Sequence, residues 1–182
     1  LLVSFSGRAE QKPLLAVEAA GPLPALLAER LFSGLYLNEL LVRLLQRHDP
    51  QPELFALYGA TLASLASNEP AELHLRRFEL GLLDALGYGF DPAVDGYAGE
   101  SVEPGGWYQY QAEFGLVACT QASVAPSARF LGSDLLAIAA GQYGGEYGVA
   151  LKRLLRQALA SHLGERPLHS RALFRQFRDA SQ

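Results

Sequence analysis

Apolar and polar positions alternate in two ways along this chain, and the change between them divides it. Leu1–Phe5 and Pro13–Val17 read as two short strands joined by the polar turn Ser6 to Lys12. Gly21-Pro22-Leu23-Pro24 then breaks the pattern, as at a boundary between a small β unit and a helical body. From Ala25 to about Arg47, Leu27, Leu31, Leu35, Leu37, Leu41, Leu44 and Leu45 recur near helical spacing, which predicts one long helix or two abutting ones. A second helix is predicted from Pro52 to Ser67, with Leu54, Leu57, Tyr58, Leu62 and Leu65 on one side and proline where a first turn tolerates it. A third starts near Asn68-Glu69-Pro70, carries Leu75, Phe78, Leu82 and Leu86, and stops at Gly87. Short connections between these helices predict one shared core.

Residues 88–131 break the helical rhythm with glycine, proline and the single tryptophan. Trp107 to Tyr110 and Leu116 to Cys119, separated by a turn containing Gly115, predict a β-hairpin inserted into the helical scaffold. Helices resume with Ser133 as the expected N-cap ahead of Leu135, Leu136 and Ile138, and again from Gly148 to Leu163, closed by Gly164. Ser170 is expected to cap a last short helix bearing Leu173, Phe174 and Phe177. The predicted fold class is mainly α, with a small β insertion.

Charge changes that picture. Residues 1–149 carry 8 basic and 17 acidic side chains, net −9, and residues 150–182 carry net +5, so the chain is bipolar. A cationic segment on an acidic body can find a polyanion or an acidic peptide despite a net charge of −4. Lys152, Arg153 and Arg156 are expected on one arc of their helix, while Leu151, Leu154, Leu155 and Leu159 pack inward. Arg166, Arg171 and Arg175 follow, the last two an i,i+4 pair. Guanidinium forks suit phosphate or carboxylate oxygens, although basic residues near a helix end also complement its dipole without any ligand. Arg76-Arg77 beside Phe78 offers a second cationic spot, unless Glu72, Glu79 or Asp84 pairs with it.

The search for catalytic chemistry is negative. Phosphate-loop, His-Glu-x-x-His and Gly-x-Ser-x-Gly patterns are absent. Cys119 cannot form an internal disulfide and is expected to be an inert strand cysteine rather than a nucleophile served by His162 or His169. His48, His74, His162 and His169 are too scattered to suggest a metal site, and no metal or cofactor is expected. Arg30, Glu39, Arg43 and Arg47 interrupt the most apolar stretch well short of the ~20 residues a membrane span needs. The chain holds no methionine and opens on a strand already under way, which predicts that further residues precede Leu1.

Four stretches taken in order carry a resemblance: Leu35-Tyr36-Leu37-Asn38-Glu39-Leu40-Leu41, Leu75-Arg76-Arg77-Phe78-Glu79-Leu80, Leu86-Gly87-Tyr88-Gly89, and the ending Leu163 to Phe174 with Gly164-Glu165-Arg166-Pro167 in it. Together they resemble the bacterial recombination mediator family RecO. The resemblance implies an N-terminal OB-fold β-barrel, of which residues 1–20 would be the last strands, and a helical domain over 21–182 with its β insertion around 88–131. It also implies a non-enzymatic, cytoplasmic, nucleoid-associated protein. Such a protein binds single- and double-stranded DNA, anneals complementary strands, and with RecR helps load RecA onto strands coated by the single-stranded-DNA-binding protein. DNA contacts would fall to Arg8, Lys12, Lys152, Arg153, Arg156, Arg166, Arg171 and Arg175. The acidic, phenylalanine-ended tail of the single-stranded-DNA-binding protein would dock on the helical domain through Arg76 and Arg77, with Arg153 or Arg156 nearby. Many members carry a four-cysteine zinc site in the region that runs Asp91–Val102 and onward; with one cysteine here, the aromatic residues Trp107, Tyr108, Tyr110 and Phe114 are expected to hold the insertion instead. Two other readings stay open: a purely protein-binding helical module, and a small-molecule-binding helical domain with an enclosed apolar pocket.

Overall fold

A computed structural model of the chain describes residues 1–21 and 24–180, so Pro22 and Leu23 of the expected break lie outside the described residues. Strand β1 (Leu2–Phe5) pairs antiparallel with β2 (Leu14–Glu18). Both faces of this hairpin are exposed, and no barrel forms among the described residues.

The helical body is built from α1 (Glu29–Leu44), α2 (Pro52–Ala66), α3 (Ala71–Ala85), α4 (Gly132–Ala139), α5 (Gly145–Leu163) and α6 (His169–Ala180). Ala28 stands at φ +49°, outside helical geometry, so α1 starts later than the leucine pattern predicts. Its inward face also differs: Leu37 and Leu40 are fully buried, whereas Leu27, Leu31 and Leu35 are exposed. Leucines on every side of a helix allow several faces, and contacts with α2, α3, α5 and α6 choose among them. Phe78, Leu82, Leu151 and Leu155 join Leu37 and Leu40 at the centre, each contributing about 2 kcal/mol by burial. Gly87, at φ +77°, ends α3 as expected: its N–H donates to Asp84 O at 3.0 Å and the Tyr88 N–H reaches Leu83 O at 2.8 Å.

Two expected caps are replaced by other partners. Helix α4 begins at Gly132, one residue before Ser133, directly after strand β5 (Arg129–Leu131). Carbonyls of the insertion, Gly106 O and Pro104 O, take the N–H groups of Gly132 and Ser133, so no serine hydroxyl caps this helix. Ser170 likewise lies inside α6, whose first N–H groups are held by a carboxylate from α1. Helix α5 starts at Gly145, three residues earlier than expected.

The insertion is a three-stranded antiparallel sheet with order β4-β3-β5, where β3 is Trp107–Gln111 and β4 is Gly115–Cys119. The expected hairpin is there; the third strand, only three residues long, is an addition. Its own core of Val102, Tyr108, Leu116 and Phe130 meets Leu135 and Leu154 of the helices. Three of the four expected aromatic residues hold it, whereas Phe114 is exposed at the β3–β4 turn. Tyr108 accepts the Glu103 N–H at 2.8 Å, Tyr110 packs edge-on to Phe90 at 5.4 Å, and the Arg129 guanidinium covers the Trp107 ring at 4.8 Å. Asp95 is the part no pattern showed. Its carboxylate accepts N–H groups from Tyr97, Ala98 and Ala118 at 2.9, 3.0 and 2.9 Å, tying the glycine-rich loop to β4. Burial pushes its pKa up, and the three donors more than offset that, leaving it below the ordinary value.

Candidate functional site

A cleft of about 940 Å³ opens where the first halves of α1 and α3 meet α5 and α6. Helical spacing puts the lining there. Phe32 and Tyr36 come from α1, Glu72, Leu75 and Arg76 from α3, Lys152 and Arg156 from α5, and Arg171, Phe174 and Arg175 from α6. Arg76, Lys152, Arg156, Arg171 and Arg175 are thus gathered from three helices into one concave surface. The apolar rings of Phe32 and Phe174 stand 5.8 Å apart, edge to face, on its wall.

A buried network lies at one edge of the cleft. The Tyr36 hydroxyl donates to Glu79 Oε1 at 2.6 Å, and Arg76 Nη1 meets Glu79 Oε2 at 2.6 Å. Burial pushes the Tyr36 phenol far up, with the Glu79 carboxylate adding to the shift, so the hydroxyl stays a donor. Burial also raises Glu79, against the pull of Arg76 and of the Tyr36 hydrogen bond. Arg171 lies over the Tyr36 ring at 5.4 Å, which brings α6 to the same network. The Nε of Arg76 is buried without a hydrogen-bond partner among the described residues. Arg76 is therefore a buried wall residue paired with Glu79, one of the pairings weighed from sequence.

Two residues of α1 set where α6 begins. Glu39 accepts the N–H of His169 at 2.8 Å, the N–H of Ser170 at 2.9 Å and the Ser170 hydroxyl at 2.6 Å. Burial alone would raise the Glu39 pKa; the hydrogen bonds from Ser170 and His169 bring it below the ordinary value. One turn on, Arg43 donates to the carbonyls of Leu163, Arg166 and Pro167 at 2.7, 2.7 and 3.2 Å. An acid at the start of α6 and a base at the end of α5 satisfy both helix termini at once.

Other expected residues lie elsewhere. The arc of Lys152, Arg153 and Arg156 splits, because Arg153 turns to the insertion, stacking on Phe130 at 4.7 Å and donating to Arg129 O at 2.8 Å. One residue along a helix is a rotation of about 100°, enough to move a side chain to another neighbour. Arg77 is exposed on the other side of α3 and Arg166 sits in the α5–α6 loop; neither lines the cleft. Arg8 and Lys12 sit in the β1–β2 turn, with Lys12 Nζ 4.9 Å from the Phe5 ring. Arg30 on the cleft rim is occupied with the carbonyls of Leu65, Ser67 and Glu69. Phe32 and Tyr36 are cleft residues that sequence reasoning missed as such, and Glu39, outside the lining, was missed as the residue that holds the start of α6. The i,i+4 relation of Phe32 and Tyr36 was readable, but the partners of all three are more than 40 positions away.

Burial pushes the Cys119 thiol up, against the Arg129 charge, which keeps it protonated at neutral pH. Among the described residues no three His, Cys, Asp or Glu side chains gather as a metal site, and the insertion's residues do not fit a four-cysteine zinc centre. Among them, too, no helix is long and apolar enough to cross a membrane.

Residues 28–172, from just before α1 to the first turn of α6, match the family described as recombination protein O, C terminal. The chain belongs to the RecO family. It is 49% identical over 175 residues to the DNA repair protein RecO of Pseudomonas aeruginosa strain LESB58, covering 96% of this chain and 73% of that protein. Identity is 44% to the RecO of Methylococcus capsulatus, over 96% of this chain and 71% of the relative. Against the RecO of Pseudoalteromonas atlantica it is 40%, over 97% and 72%. DNA repair and recombination is thus the setting of the chain's RecO relatives.

Proposed function

We propose that this chain acts as a recombination mediator of the RecO type. It binds single- and double-stranded DNA, anneals complementary strands and, with RecR, helps load RecA on strands coated by the single-stranded-DNA-binding protein. In this reading the β1–β2 hairpin belongs to an OB-fold barrel. The observation that carries the proposal is the convergence of Arg76, Lys152, Arg156, Arg171 and Arg175 beside Phe32, Leu75 and Phe174. An acidic tail ending in phenylalanine needs what this cleft combines: cationic heads for its carboxylates and apolar rings for its terminal side chain. No group transfer is required, because annealing and loading need only that phosphate charge be screened and strands held. Arg8, Lys12, Arg77 and Arg166, outside the cleft, remain free of ion pairs with acidic side chains among the described residues and can meet phosphates.

The test is an anisotropy titration with the acidic tail peptide at low and moderate salt, beside a single-stranded oligonucleotide. Saturable peptide binding that weakens about tenfold or more in the double variant Lys152→Glu/Arg156→Glu supports the cleft assignment. Unchanged affinity removes it. A second reading, a peptide-docking module without DNA affinity, is favoured by the enclosure of these cations in a cleft rather than along an open stripe. Peptide binding with no salt-dependent DNA affinity selects it.

A further inference from the structure

A second cavity, about 700 Å³, lies between the insertion and the ends of α3 and α5. Its chemistry is opposite to that of the first. Tyr88, Phe90, Tyr110 and Phe114 present aromatic surface, and Asp91 and Glu113 are the charged residues on its lining. Residues 88–131 as a whole carry five acidic side chains and one basic, Arg129, so the field around the cavity is negative. Arg129 faces away from it, engaged with the Trp107 ring and the carbonyls of Gln121 and Val124.

The cavity is built rather than incidental. Gly96 packs so close to the Phe114 carbonyl that a Cβ would stand 1.6 Å from that oxygen, so only glycine lets the loop wall lie against the β3–β4 turn. His162 stacks on Tyr88 with ring centroids 3.7 Å apart and planes 14° from parallel. Its Nε2 is buried with no hydrogen-bond partner among the described residues. Burial pushes this imidazole pKa down, so at neutral pH it adds no positive charge to the cavity. Tyr88 is 45% exposed, Phe114 42% and Tyr97, edge-on to Phe114 at 5.3 Å, 72%; the aromatic surface continues out of the mouth.

We propose that this cavity receives an arginine or lysine side chain from a protein partner, held between the aromatic faces and the carboxylates of Asp91 and Glu113. Ring faces attract cations, and carboxylates at the same opening add charge complementarity. Glu113 is exposed and enters no ion pair among the described residues, so its charge is open to a guest. The apolar mouth of Tyr97 and Phe114 identifies the guest as a residue of a polypeptide. Neighbouring apolar side chains gain burial there, whereas a free polyamine brings only short methylene spacers between charges that must stay hydrated.

The experiment is an NMR titration of the full 15N-labelled chain with a blocked hexapeptide of leucine and serine around a single arginine. A matching peptide with glutamine in place of the arginine, and spermidine, are the comparison ligands. Saturable shifts at Tyr88–Asp91, Gln111–Gly115 and Ser161–His162, weakened about fivefold for the glutamine peptide and by Glu113→Gln, are expected. Equal affinity for both peptides overturns the cation assignment, absence of shifts at these residues overturns the site, and equal affinity for spermidine overturns the polypeptide guest. Glu113 is exposed, so its substitution keeps the fold; Tyr88→Leu, which keeps bulk and removes the aromatic face, is the second variant and is expected to weaken the arginine peptide selectively. Lys152→Glu/Arg156→Glu, which tests the cationic cleft, leaves this titration unchanged, so failure of one reading is separable from failure of the other.

Discussion

The two cavities lie on one body and differ in nearly everything that decides what enters them. The cleft between α1, α3, α5 and α6 is lined by six basic side chains, Arg30 on the rim among them, against three acids, Glu29, Glu69 and Glu72, with two phenylalanines, and its walls are helices fixed by the central leucine core. The cavity under the insertion gathers aromatic rings and two acids, and apart from Ser161 and His162 of α5 its wall is loop and hairpin, with a smaller core of its own. Net charge averages the two to −4 and hides both. Recognition here is local: each site's sign is set by which few side chains the fold brings together.

The sharpest way to break the contrast is to put an acid where the cleft keeps its buried cation. Arg76→Glu sets two carboxylates side by side in a buried place and strips Glu79 of its cationic partner, leaving it only the Tyr36 hydroxyl. It is expected to cost about 3–5 kcal/mol, read by urea denaturation. The variant thus reports on the fold before it reports on any ligand. On the other side of the comparison, Asp95→Ala leaves three N–H groups of the insertion without their acceptor. A loss of about 2–3 kcal/mol is expected, with hydrogen exchange accelerated around Tyr97 and Ala118 and unchanged in the core of α5.

Acid couples the two regions, since Glu39 serves the cleft and Asp95 the insertion. Both carboxyls have folded pKa values below their ordinary ones, so each contributes stability that is complete above the ordinary carboxylate range. That contribution is lost as pH falls through the lowered values. Urea midpoints measured from pH 7 down to pH 3 should therefore fall, and the fall should shrink in Glu39→Gln and in Asp95→Asn; an unaltered profile in both would contradict the assigned hydrogen bonds. The smallest effect is expected for Arg153→Ala. It removes a stacked guanidinium and one backbone contact, costs about 1 kcal/mol, and leaves tail-peptide binding unchanged because Arg153 lies outside the cleft.

What could be read in the sequence was whatever rests on neighbours along the chain. The second and third helices, the Gly87 stop and the strands around Gly115 depend on periodicity and turn chemistry, and they stand where expected. The inward face of α1 was not legible, because leucine on all sides leaves the choice to packing. The caps at Ser133 and Ser170 failed for a related reason: the helix N–H groups found acceptors from distant segments, Pro104 and Glu39, before a local hydroxyl was needed. Of the cleft, the basic residues of α5 and α6 were visible as charge. Their meeting with Arg76 depends on α1, α3 and α6 closing around Tyr36 and Glu79, contacts that span 43 positions and leave no periodic trace. Two of the stretches that carried the family resemblance, Leu35–Leu41 and Leu163–Phe174, turn out to be one structural joint, since Glu39 of the first grips His169 and Ser170 of the second.

That joint makes α6 a beam pinned at two points. The Glu39 carboxylate holds its root, and farther out Phe32 packs on both Phe174 and Phe177, with ring centroids 5.8 and 5.0 Å apart, so its packing on the body is through α1. Arg171, one residue past the grip and resting on the Tyr36 ring, and Arg175, between Phe174 and Phe177, both lie within the span between the two holds. The same helix that carries Tyr36 and Phe32 thus sets the place of both guanidinium groups, and a shift of α1 would carry the two together.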